Sequence, residues 1–363
     1  MLTKIQAILL AGGKSQRFHT GRTKLIEKIC GKAMILYPIE LLQNLKIPTA
    51  VVVGFQQSAV LKKLQDKVYE HLSFIKQTAQ LGSGDALKAS QSLWKEDHIL
   101  VLNADIPLLG EETIQKLYNK HINTDADISF VTSHASGYDN YGQCVVIIDN
   151  KKIHVRENFG SAEDSQCCIS AGIYLMKKSF LEKHIDSLTK SSITGEYYLP
   201  ELVNIASENQ GKIVTTDAPF DQIRGVNTLA ELWVIEHIKR SQIISEWMRK
   251  GVRFASTNNV MIDESVVLEP GTYIGSSTHL LGSTHVKKNS IIGAYTYIKN
   301  SIIEESCKIK THNVICNSTI LKNTVVEPFS NIQDQQKVVV KNPNIKFTGA
   351  TIITDFDHTQ NRL

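Results

Sequence analysis

The chain has 363 residues, of which 42% are apolar and 21% are charged, and its formal net charge is +4. This length is sufficient for two domains with separate cores, and the composition is typical of globular proteins. The small net charge, without a dense block of Lys and Arg, argues against a nucleic-acid partner. Because no run of 18 apolar residues occurs, we expect no transmembrane helix and no membrane partner.

The cysteines and the N-terminal segment bear on the compartment. Six cysteines are scattered along the chain, and only Cys167 and Cys168 are adjacent. A vicinal pair is a poor disulfide, and no cysteine spacing matches a zinc site. The apolar run at 7–11 is too short for the core of a signal peptide. We therefore expect neutral thiols in a reducing cytoplasm.

The first 227 residues alternate short β-rich segments with amphipathic helical segments. This alternation predicts an α/β domain with a mostly parallel central sheet. Ligands of such sheets bind outside the carboxyl ends of the strands. The strand candidates are AILLA (7–11), TAVVVGF (49–55), HILVLNAD (98–105), ADISFVT (126–132), CVVIID (144–149) and AGIYLM (171–176), and the helical candidates include 58–72 and 110–122.

A helix is expected next, over residues 228–250, because apolar residues recur there at helical spacing and Gly251 can end it. Packing of this helix against the first domain and a free linker are both compatible with the pattern.

Beyond this helix the apolar period becomes six residues, which is neither helical nor that of an ordinary strand. Such a repeat predicts a parallel β-helix whose aliphatic residues stack coil upon coil. The unbroken series is Ile262, Leu268, Ile274, Leu280, Val286, Ile292 and Ile298, with Val266, Thr272, Thr278, Thr284, Ser290 and Thr296 as a second series. After a slip of one residue it continues at Ile303, Ile309, Ile315 and Leu321, and then at Val326 and Ile332.

The loop after the first strand carries glycines and positive charge. Gly12 and Gly13 would let backbone N–H groups approach a polyphosphate, and Arg17 and Lys24 could bind phosphate oxygens. The alternative is a tight strand-to-helix turn with solvent-facing basic residues. Taken alone, the Gly-Gly-Lys segment favours that alternative.

Two further segments suggest ligand contacts. Asp105 directly follows an apolar strand, where a carboxylate is well placed for Mg²⁺, although a turn or helix cap is the simpler interpretation. Gly82, Ser83 and Gly84 form a backbone-exposing turn suited to a nucleobase edge or a phosphate, but such turns are common.

Taken together and in this order, the segments resemble the sugar-nucleotide pyrophosphorylases over nearly the whole chain. The resemblance is closest to bifunctional N-acetylglucosamine-1-phosphate uridylyltransferases, in which a hexapeptide β-helix follows the first domain. The matching motifs are LAGGKSQRF (10–18), TKLI (23–26), GKAM (31–34), QTAQLGSG (77–84), ADIPL (104–108), Tyr141-Gly142, GEYY (195–198) and GVN (225–227).

The resemblance implies a fold and a domain organisation. It implies a Rossmann-like nucleotidyltransferase domain with a mixed, mostly parallel sheet, followed by a short left-handed parallel β-helix that assembles a homotrimer. The expected boundaries are a nucleotidyltransferase domain at 1–227, a linker helix at 228–251, the β-helix at 252–333 and a C-terminal tail at 334–363. Within the tail, residues 337–356 are expected to form two strands that cap or edge the coil.

The resemblance also implies a reaction and residue roles. A nucleoside triphosphate, with UTP favoured, would react with a hexosamine-1-phosphate, with N-acetylglucosamine-1-phosphate favoured, to give a nucleotide sugar and pyrophosphate with Mg²⁺ as cofactor. The default pathway is the synthesis of cell-envelope precursors. The implied residues are Arg17 and Lys24 for catalysis at the phosphates, Asp105 and Asn227 for the metal, Leu10, Ala11, Gly12, Gly13, Gln77, Gly82 and Ser83 for the nucleotide, and Gly142, Glu157, Ser170 and Tyr198 for the sugar.

Several positions depart from the family pattern. Ser170 and Ala171 replace an Asn-Thr pair whose Asn binds the sugar, Ser15 and Gln16 replace Gly-Thr, and Arg224 stands where an acidic residue is frequent. These changes leave open a different base, or a different sugar for a specialised surface glycan.

The β-helix is also shorter than in the bifunctional relatives, which carry the acetyltransferase site on further coils. We therefore expect no acetyltransferase activity, and we interpret His279, His285 and His312 as exposed or packed residues. An acyltransferase with a decayed first domain and a non-catalytic scaffold are the competing hypotheses. The presence of Arg17 and Asp105 disfavours both.

Overall fold

The structure is a computed structural model of the chain, in which contacts define two compact units. The first comprises Met1–Lys28 and Ala33–Ile235, and the second comprises Ile29–Lys32 and Glu236–Leu363. The residues described are 2–65, 67–134, 144–149, 152–157, 168–192 and 194–334, and within 144–149 and 152–157 side chains are described only for Val146 and for residues 153–155.

A mixed sheet of nine described strands forms the centre of the first unit. Its order is β11-β7-β10-β6-β1-β4-β5, with β8 pairing with both β10 and β9. A separate hairpin consists of β2 and β3. The strands are β1 Ile5–Ala11, β2 Lys28–Ile29, β3 Lys32–Ala33, β4 Thr49–Val53, β5 Leu72–Lys76, β6 His98–Asn103, β7 Ile128–His134, β8 Cys144–Asp149, β9 Lys152–Glu157, β10 Cys168–Lys177 and β11 Ile213–Asp217.

Parallel pairing brings the carboxyl ends of several strands to one edge of this sheet. Strand β1 pairs in parallel with β4 and β6, and β4 pairs in parallel with β5, whereas β10 runs antiparallel to β6 and β7. The sheet is therefore mixed and mostly parallel around β1, as predicted. All six predicted strands are present. The sequence analysis missed the hairpin strands β2 and β3 and, within this sheet, β5, β9 and β11. Of these, β5 and β11 are edge strands with partly exposed side chains.

Eight α-helices are described, and one of them corrects a prediction. The segment 58–72 is not one helix, because the helix ends at Leu64 and Leu72 begins β5 by pairing with Thr49. Val68 is 99% exposed, so the apolar periodicity beyond Leu64 has no surface to pack against. The helices are α1 Leu36–Asn44, α2 Gln57–Leu64, α3 Ser83–Ala89, α4 Glu111–Thr124, α5 Lys178–His184, α6 Glu201–Glu208, α7 Phe220–Ile223 and α8 Leu229–Arg249.

Helix α8 agrees with the expected linker helix over 228–250, and Gly251 follows it with a φ of +88°. The contacts divide the two units inside this helix, after Ile235, whereas the sequence analysis placed the domain boundaries at the two ends of the helix. No described helix combines the length and the hydropathy that crossing a bilayer requires.

Short parallel strands of the second unit stack in three sheets, which is the arrangement of a parallel β-helix. The sheets are β12-β15-β18-β21-β24, β13-β16-β19-β22-β25 and β14-β17-β20-β23. The strands are β12 Arg253–Phe254, β13 Met261–Ile262, β14 Val267–Leu268, β15 Tyr273–Ile274, β16 His279–Leu281, β17 His285–Val286, β18 Ile291–Ile292, β19 Tyr297–Lys299, β20 Ile302–Ile303, β21 Lys308–Ile309, β22 Val314–Cys316, β23 Thr319–Ile320, β24 Val325–Val326 and β25 Asn331–Gln333.

The predicted hexad residues form the core of this coil. All seven aliphatic residues of the unbroken series are at most 2% exposed. The hydroxyls of the second series are satisfied inside the coil, as when Thr278 Oγ1 donates to the Gly275 carbonyl at 2.7 Å. One position of the continuation was wrong: Ile320, not Leu321, is fully buried, and it pairs with Ile303. The shortened turn therefore precedes Ile320. The predicted strands of the tail lie outside the described residues.

The described cysteines are free, and burial raises the pKa of each above its ordinary value. The pKa of Cys30 rises to about 12. These thiols are therefore protonated at neutral pH, as expected. The four are Cys30, Cys168, Cys307 and Cys316. The side chains of the other two cysteines lie outside the described residues.

Candidate active site

The loops that follow β1, β4 and β6 meet at the carboxyl edge of the sheet. Phe55 N donates to the Gly12 carbonyl at 3.2 Å, and Ala104 N donates to the Leu10 carbonyl at 3.0 Å. A Cβ placed on Gly54 would lie 2.7 Å from the Gly12 carbonyl oxygen. Side chains are therefore excluded where the first two loops touch, and the backbone after β1 is held in place.

Gln77 packs against the loop that follows β1, at Gly12. It is 3% exposed, and its Nε2 donates to the Gly82 carbonyl at 3.1 Å and to Asp85 Oδ2 at 2.7 Å. Its Oε1 would lie 2.5 Å from a Cβ on Gly12, so a side chain at position 12 would displace the Gln77 amide. Both amide hydrogens of Gln77 are thus engaged within the protein, although the side chain still lines the cavity described below.

The Gly82 turn is held by the GEYY segment. Gly82 has a φ of +101°, and a Cβ on it would lie 2.5 Å from the Tyr197 carbonyl oxygen. Gly84 N donates to that same carbonyl at 2.8 Å, and Ser83 Oγ accepts from Leu199 N at 3.0 Å. The turn that begins α3 therefore requires glycine for both its conformation and its packing.

Ser15 links the glycine loop to Lys24. Its backbone is left-handed, with a φ of 56°, and its Oγ accepts from Lys24 N at 3.1 Å. Arg17 follows in a short 3₁₀ turn, Gln16–Phe18, and its side chain is exposed while Phe18 is buried. The loop thus presents one guanidinium outward and fixes the start of the segment that carries the lysine.

Lys24 joins two residues that are distant in sequence. Its Nζ donates to Asp105 Oδ2 at 2.5 Å and to Asn227 Oδ1 at 2.8 Å. The side chains of Lys24 and Asp105 are only 13% and 17% exposed. Three residues that the sequence analysis assigned to the phosphates and the metal therefore meet at one point.

A capping box holds the backbone of Asn227. Glu231 Oε2 accepts from Asn227 N at 2.5 Å and from Thr228 N at 2.9 Å, and Glu231 N donates to Thr228 Oγ1 at 3.1 Å. This reciprocal pattern is the usual way to satisfy the first N–H groups of a helix, here α8. It places Asn227 directly before Thr228, the residue that caps the helix.

Two adjoining cavities open at this edge. The first has a volume of about 500 Å³ and the second about 230 Å³. The first contains the glycine loop and the Gly82 turn, and the second contains the β10 segment and Tyr198. Five residues line both cavities: Arg17, Ser83, Asn103, Asp105 and Asn227.

The second cavity shows what replaces the Asn of the family pattern. Ser170 Oγ and Tyr174 Oη lie 2.8 Å apart, across a β-bulge in the pairing of β10 with β7. Gly172 has a φ of +71°, and a Cβ there would lie 2.7 Å from Asn103 Nδ2. Tyr198 lines the same cavity, and its hydroxyl pairs with Thr194 Oγ1 at 2.7 Å.

Most residues predicted for the site line these cavities. Gly142 lies outside the described residues, as does the side chain of Glu157, so neither can be placed. Arg224 lies beside Phe220 and Asp221 and does not line either cavity. The sequence analysis gave no site role to several lining residues, although Glu196 belongs to the GEYY motif and Asn103 directly precedes ADIPL. The omitted residues include Lys14, Ser15, Gln16, Gln80, Asn103, Tyr174 and Glu196.

The Asp105–Asn227 pair fits a divalent metal ion. Mg²⁺ takes oxygen ligands, is usually bound by one or two protein groups, and keeps positions for water and substrate phosphates. A carboxylate and an amide oxygen that both contact a single ammonium group are such a donor pair. Within the described part of the chain, no three His, Cys, Asp or Glu side chains form a cluster that could hold a metal ion by themselves.

Comparisons with known proteins identify a family. The family model of the MobA-like NTP transferase domain matches residues 7–166. The bifunctional protein GlmU of Clostridioides difficile strain 630 is 31% identical over 344 residues, which are 92% of this chain and 74% of that protein. GlmU of Exiguobacterium sibiricum is 29% identical over 345 residues, or 93% and 76%. GlmU of Clostridium tetani is 31% identical over 311 residues, or 83% and 66%.

The fold, the site and these similarities define a nucleotidyltransferase. The chain belongs to the GlmU family of sugar-nucleotide pyrophosphorylases.

Proposed function

We propose that the protein transfers a uridylyl group from UTP to N-acetylglucosamine-1-phosphate, giving the nucleotide sugar and pyrophosphate, with Mg²⁺ as cofactor. The observation that carries the proposal is the pair of adjoining cavities that share Arg17, Asp105 and Asn227. In this arrangement the nucleotide occupies the larger cavity and the sugar phosphate occupies the smaller one. Their reacting phosphates then meet at the shared residues.

The reaction is an in-line displacement. An oxygen of the sugar phosphate attacks the α-phosphorus of the nucleotide, the new P–O bond forms, and the bond to the β-phosphate breaks with release of pyrophosphate. The attacking oxygen is already anionic, so the protein needs no general base for this step. Its task is to position both phosphates and to compensate their charge.

The basic residues have distinct parts in this task. Arg17 is exposed beside both cavities and can form two parallel hydrogen bonds with phosphate oxygens. Lys24 is largely buried and fixed at its backbone by Ser15, which suits a point charge near the leaving pyrophosphate. A divalent cation held by Asp105 and Asn227 would supply further positive charge to the polyphosphate when bound.

Recognition of the base and the sugar falls to neutral groups. Backbone atoms of the glycine loop and the Gly82 turn line the nucleotide cavity, and Gln77 holds both in place. In the sugar cavity, the Ser170–Tyr174 hydroxyl pair offers polar atoms beside apolar side chains such as Ala171 and Ile223. This mixture suits an acetamido sugar, which carries both hydroxyls and a methyl group.

The test is pyrophosphate release with Mg²⁺, measured for UTP, GTP, CTP and dTTP against glucosamine-, N-acetylglucosamine- and glucose-1-phosphate. We expect UTP with N-acetylglucosamine-1-phosphate to give the highest kcat/KM. A different productive pair would replace the proposed substrates and keep the reaction. Silence with every pair, from folded protein, would overturn the proposal.

Two isosteric variants, one in the site and one outside it, test the role of Asp105 in this assay. Asp105→Asn keeps the size of the side chain but removes its charge, so turnover should fall by about 10²-fold or more. Asp186→Asn is the comparison, since Asp186 is exposed and pairs with Lys88 away from both cavities. Equal activity of the two variants would show that Asp105 does not act in the reaction.

We also propose that residues 252–334 do not catalyse acetyl transfer. The three histidines there have structural partners: His285 Nε2 lies 2.9 Å from Glu269 Oε1, His279 packs beside Tyr297, and His312 stacks with neighbouring rings. Release of free thiol from acetyl-coenzyme A with glucosamine-1-phosphate should stay at background. Turnover above background would contradict this.

We propose in addition that the chain acts in the cytoplasm, where nucleoside triphosphates are available, as a homotrimer assembled through the β-helix. Support comes from the family resemblance and from aliphatic side chains on the outer side of the coil, including Val267 and Ile291, each 43% exposed. Light scattering should give about three times the chain mass of 40.5 kDa. A monomeric mass at micromolar concentration would refute the trimer.

A further inference from the structure

The two oxygens that suit a divalent cation are already bridged by a cation of the protein itself. Lys24 Nζ donates to both Asp105 Oδ2 and Asn227 Oδ1, at 2.5 and 2.8 Å. An ammonium group that bonds both oxygens lies where a metal ion sharing them would also lie. Two positive charges cannot occupy this partly buried position together without strong repulsion.

We propose that the Asp105–Asn227 pair is an exchange site, where Lys24 acts as an internal counter-ion until a divalent cation replaces it. The inference rests on the proposed function for the assignment of these two residues as cation ligands. In the absence of nucleotide, Lys24 competes with the metal and keeps its affinity low. When metal and nucleotide arrive together, the ammonium group leaves the pair and contacts the phosphates.

The exchange gives the site an order of assembly. Because Lys24 Nζ bonds both Asp105 and Asn227, the lysine holds the two oxygens together before substrate binds. Displacing it is favourable only when a new anion accepts its charge, and the triphosphate is such an anion. The metal and the nucleotide should therefore bind cooperatively, with Lys24 as the coupling group.

Glu231 has a positioning role in the same exchange site. Its carboxylate accepts from the backbone N–H of Asn227 and of Thr228, and so holds the backbone that carries the Asn227 amide. A carboxylate at the start of α8 is also favoured by the helix dipole. Loss of this carboxylate should therefore weaken the affinity of the Asp105–Asn227 pair for any cation.

The experiment measures Mn²⁺ binding to the full chain without nucleotide, by electron paramagnetic resonance of the free ion. Because binding is measured without substrates, its result does not depend on whether transfer with UTP succeeds. We expect Lys24→Met to bind Mn²⁺ about tenfold more tightly than the wild type, since the competing charge is removed. Lys24→Arg keeps the positive charge and should show no such gain.

Two further variants localise the effect. In the Lys24→Met background, Asp105→Asn should abolish the tightened binding. Glu231→Gln should weaken Mn²⁺ binding severalfold, whereas Glu246→Gln, which removes a carboxylate from the same helix away from Asn227, should not. Thermal unfolding of each variant confirms that the chains compared are folded.

Two outcomes would overturn the inference. One is an unchanged or weaker Mn²⁺ affinity of folded Lys24→Met. The other is equal tightening by Lys24→Met and Lys24→Arg, which would mean that charge competition is not the cause. The cooperativity is checked by adding UTP: the wild type should gain Mn²⁺ affinity on nucleotide addition more strongly than Lys24→Met does. Equal gains would remove Lys24 from the coupling.

Discussion

Left-handed backbone has different uses in the two units. In the β-helix it recurs at the corners, one coil apart, as at Asn300 and Asn317, whose side chains hydrogen-bond to each other at 3.3 Å. In the α/β unit it occurs without period, and Ser15 and Gly82 adopt it beside the larger cavity. The first pattern repeats a structural motif, whereas the second shapes a site.

The largest expected effect on stability comes from breaking the repeat. Ile292 is fully buried and its neighbour Ile291 in β18 is 43% exposed. Ile292→Ala should lower the free energy of unfolding by about 2–5 kcal/mol through lost burial and a cavity, and Ile291→Ala by about 1 kcal/mol. Chemical denaturation followed by circular dichroism measures both.

The comparison needs two protein concentrations. If Ile291 contributes to a subunit interface, the effect of its substitution will depend on concentration, whereas that of Ile292 will not. Equal, concentration-independent losses for both variants would contradict the inward and outward assignment of β18.

This regularity explains why the β-helix could be predicted so well from the sequence. Each inward residue packs on residues one coil away, so the period alone identifies the core. The one error, Leu321 in place of Ile320, arose where a coil is a residue shorter. The sequence shows that a slip occurs between Ile315 and Val326 but not at which turn.

A change in the site of the α/β unit should lower activity strongly but leave the free energy of unfolding almost unchanged, unlike a change in the core of the β-helix. Arg17 is exposed, so Arg17→Ala should alter the free energy of unfolding by no more than about 0.5 kcal/mol. The same change removes a positive charge beside both cavities, and kcat/KM should fall by about 10²-fold to 10³-fold. Pyrophosphate release and thermal unfolding test the two halves of the prediction.

Arg22→Ala is the matched control, because Arg22 is also exposed in the same segment but lines neither cavity. Its kcat/KM should stay within about threefold of the wild type. A loss as large as that of Arg17→Ala would mean that the overall charge of the segment, and not a specific contact, drives activity.

The site itself could be predicted only in part. Lys24, Asp105 and Asn227 are brought together across 81 and 203 residues of sequence, and no local pattern encodes that contact. Their order along the chain suggested it only through resemblance to a family. Glu231 and Tyr174 act through hydrogen bonds to neighbours, which the residue type alone does not reveal.

The two units also differ in the polar groups that they bury, and this difference predicts an intermediate effect on stability. In the β-helix they are hydroxyls and the amide of Asn313, whereas the α/β unit buries His121 completely between Ser129 Oγ at 2.7 Å and His98 Nδ1 at 3.1 Å. The pKa of His121 is lowered to about 4, mainly by burial and also by nearby His98 and Lys177, against the opposite effect of Asp125 and Asp127. Burial lowers the pKa of His98 as well.

The direction of the pH effect follows from these shifts. The folded chain keeps His121 neutral, whereas the unfolded chain takes up a proton below pH 6.5. The stability contributed at neutral pH is therefore lost as the pH falls from 6.5 towards 4, by up to about 3 kcal/mol. Denaturation at several pH values measures this loss, and His121→Asn should reduce it.

His19→Asn is the control for this series, since His19 is exposed and Asn tolerates its left-handed backbone. Its pH dependence should match that of the wild type. A wild-type stability that stays constant between pH 7 and 5 would contradict the burial argument.

The smallest expected effect on stability is at Ser15, one of the positions with left-handed backbone. The family pattern has Gly where this chain has Ser15, and the serine occupies a conformation that costs a side chain about 1 kcal/mol. Its hydrogen bond from Lys24 N offsets a similar amount. Ser15→Gly loses the bond and relieves the backbone, so its stability should stay near that of the wild type.

Ser15→Ala separates these two contributions. It loses the hydrogen bond and keeps the unfavourable backbone, so it should be about 1 kcal/mol less stable than Ser15→Gly. Its KM for the nucleoside triphosphate should also rise, because the lysine segment is no longer tied to the loop. If Ser15→Ala is the more stable of the two, the left-handed backbone carries no cost there. In that case Ser15 resembles the β-helix corners, where side chains occupy this conformation as part of a repeat.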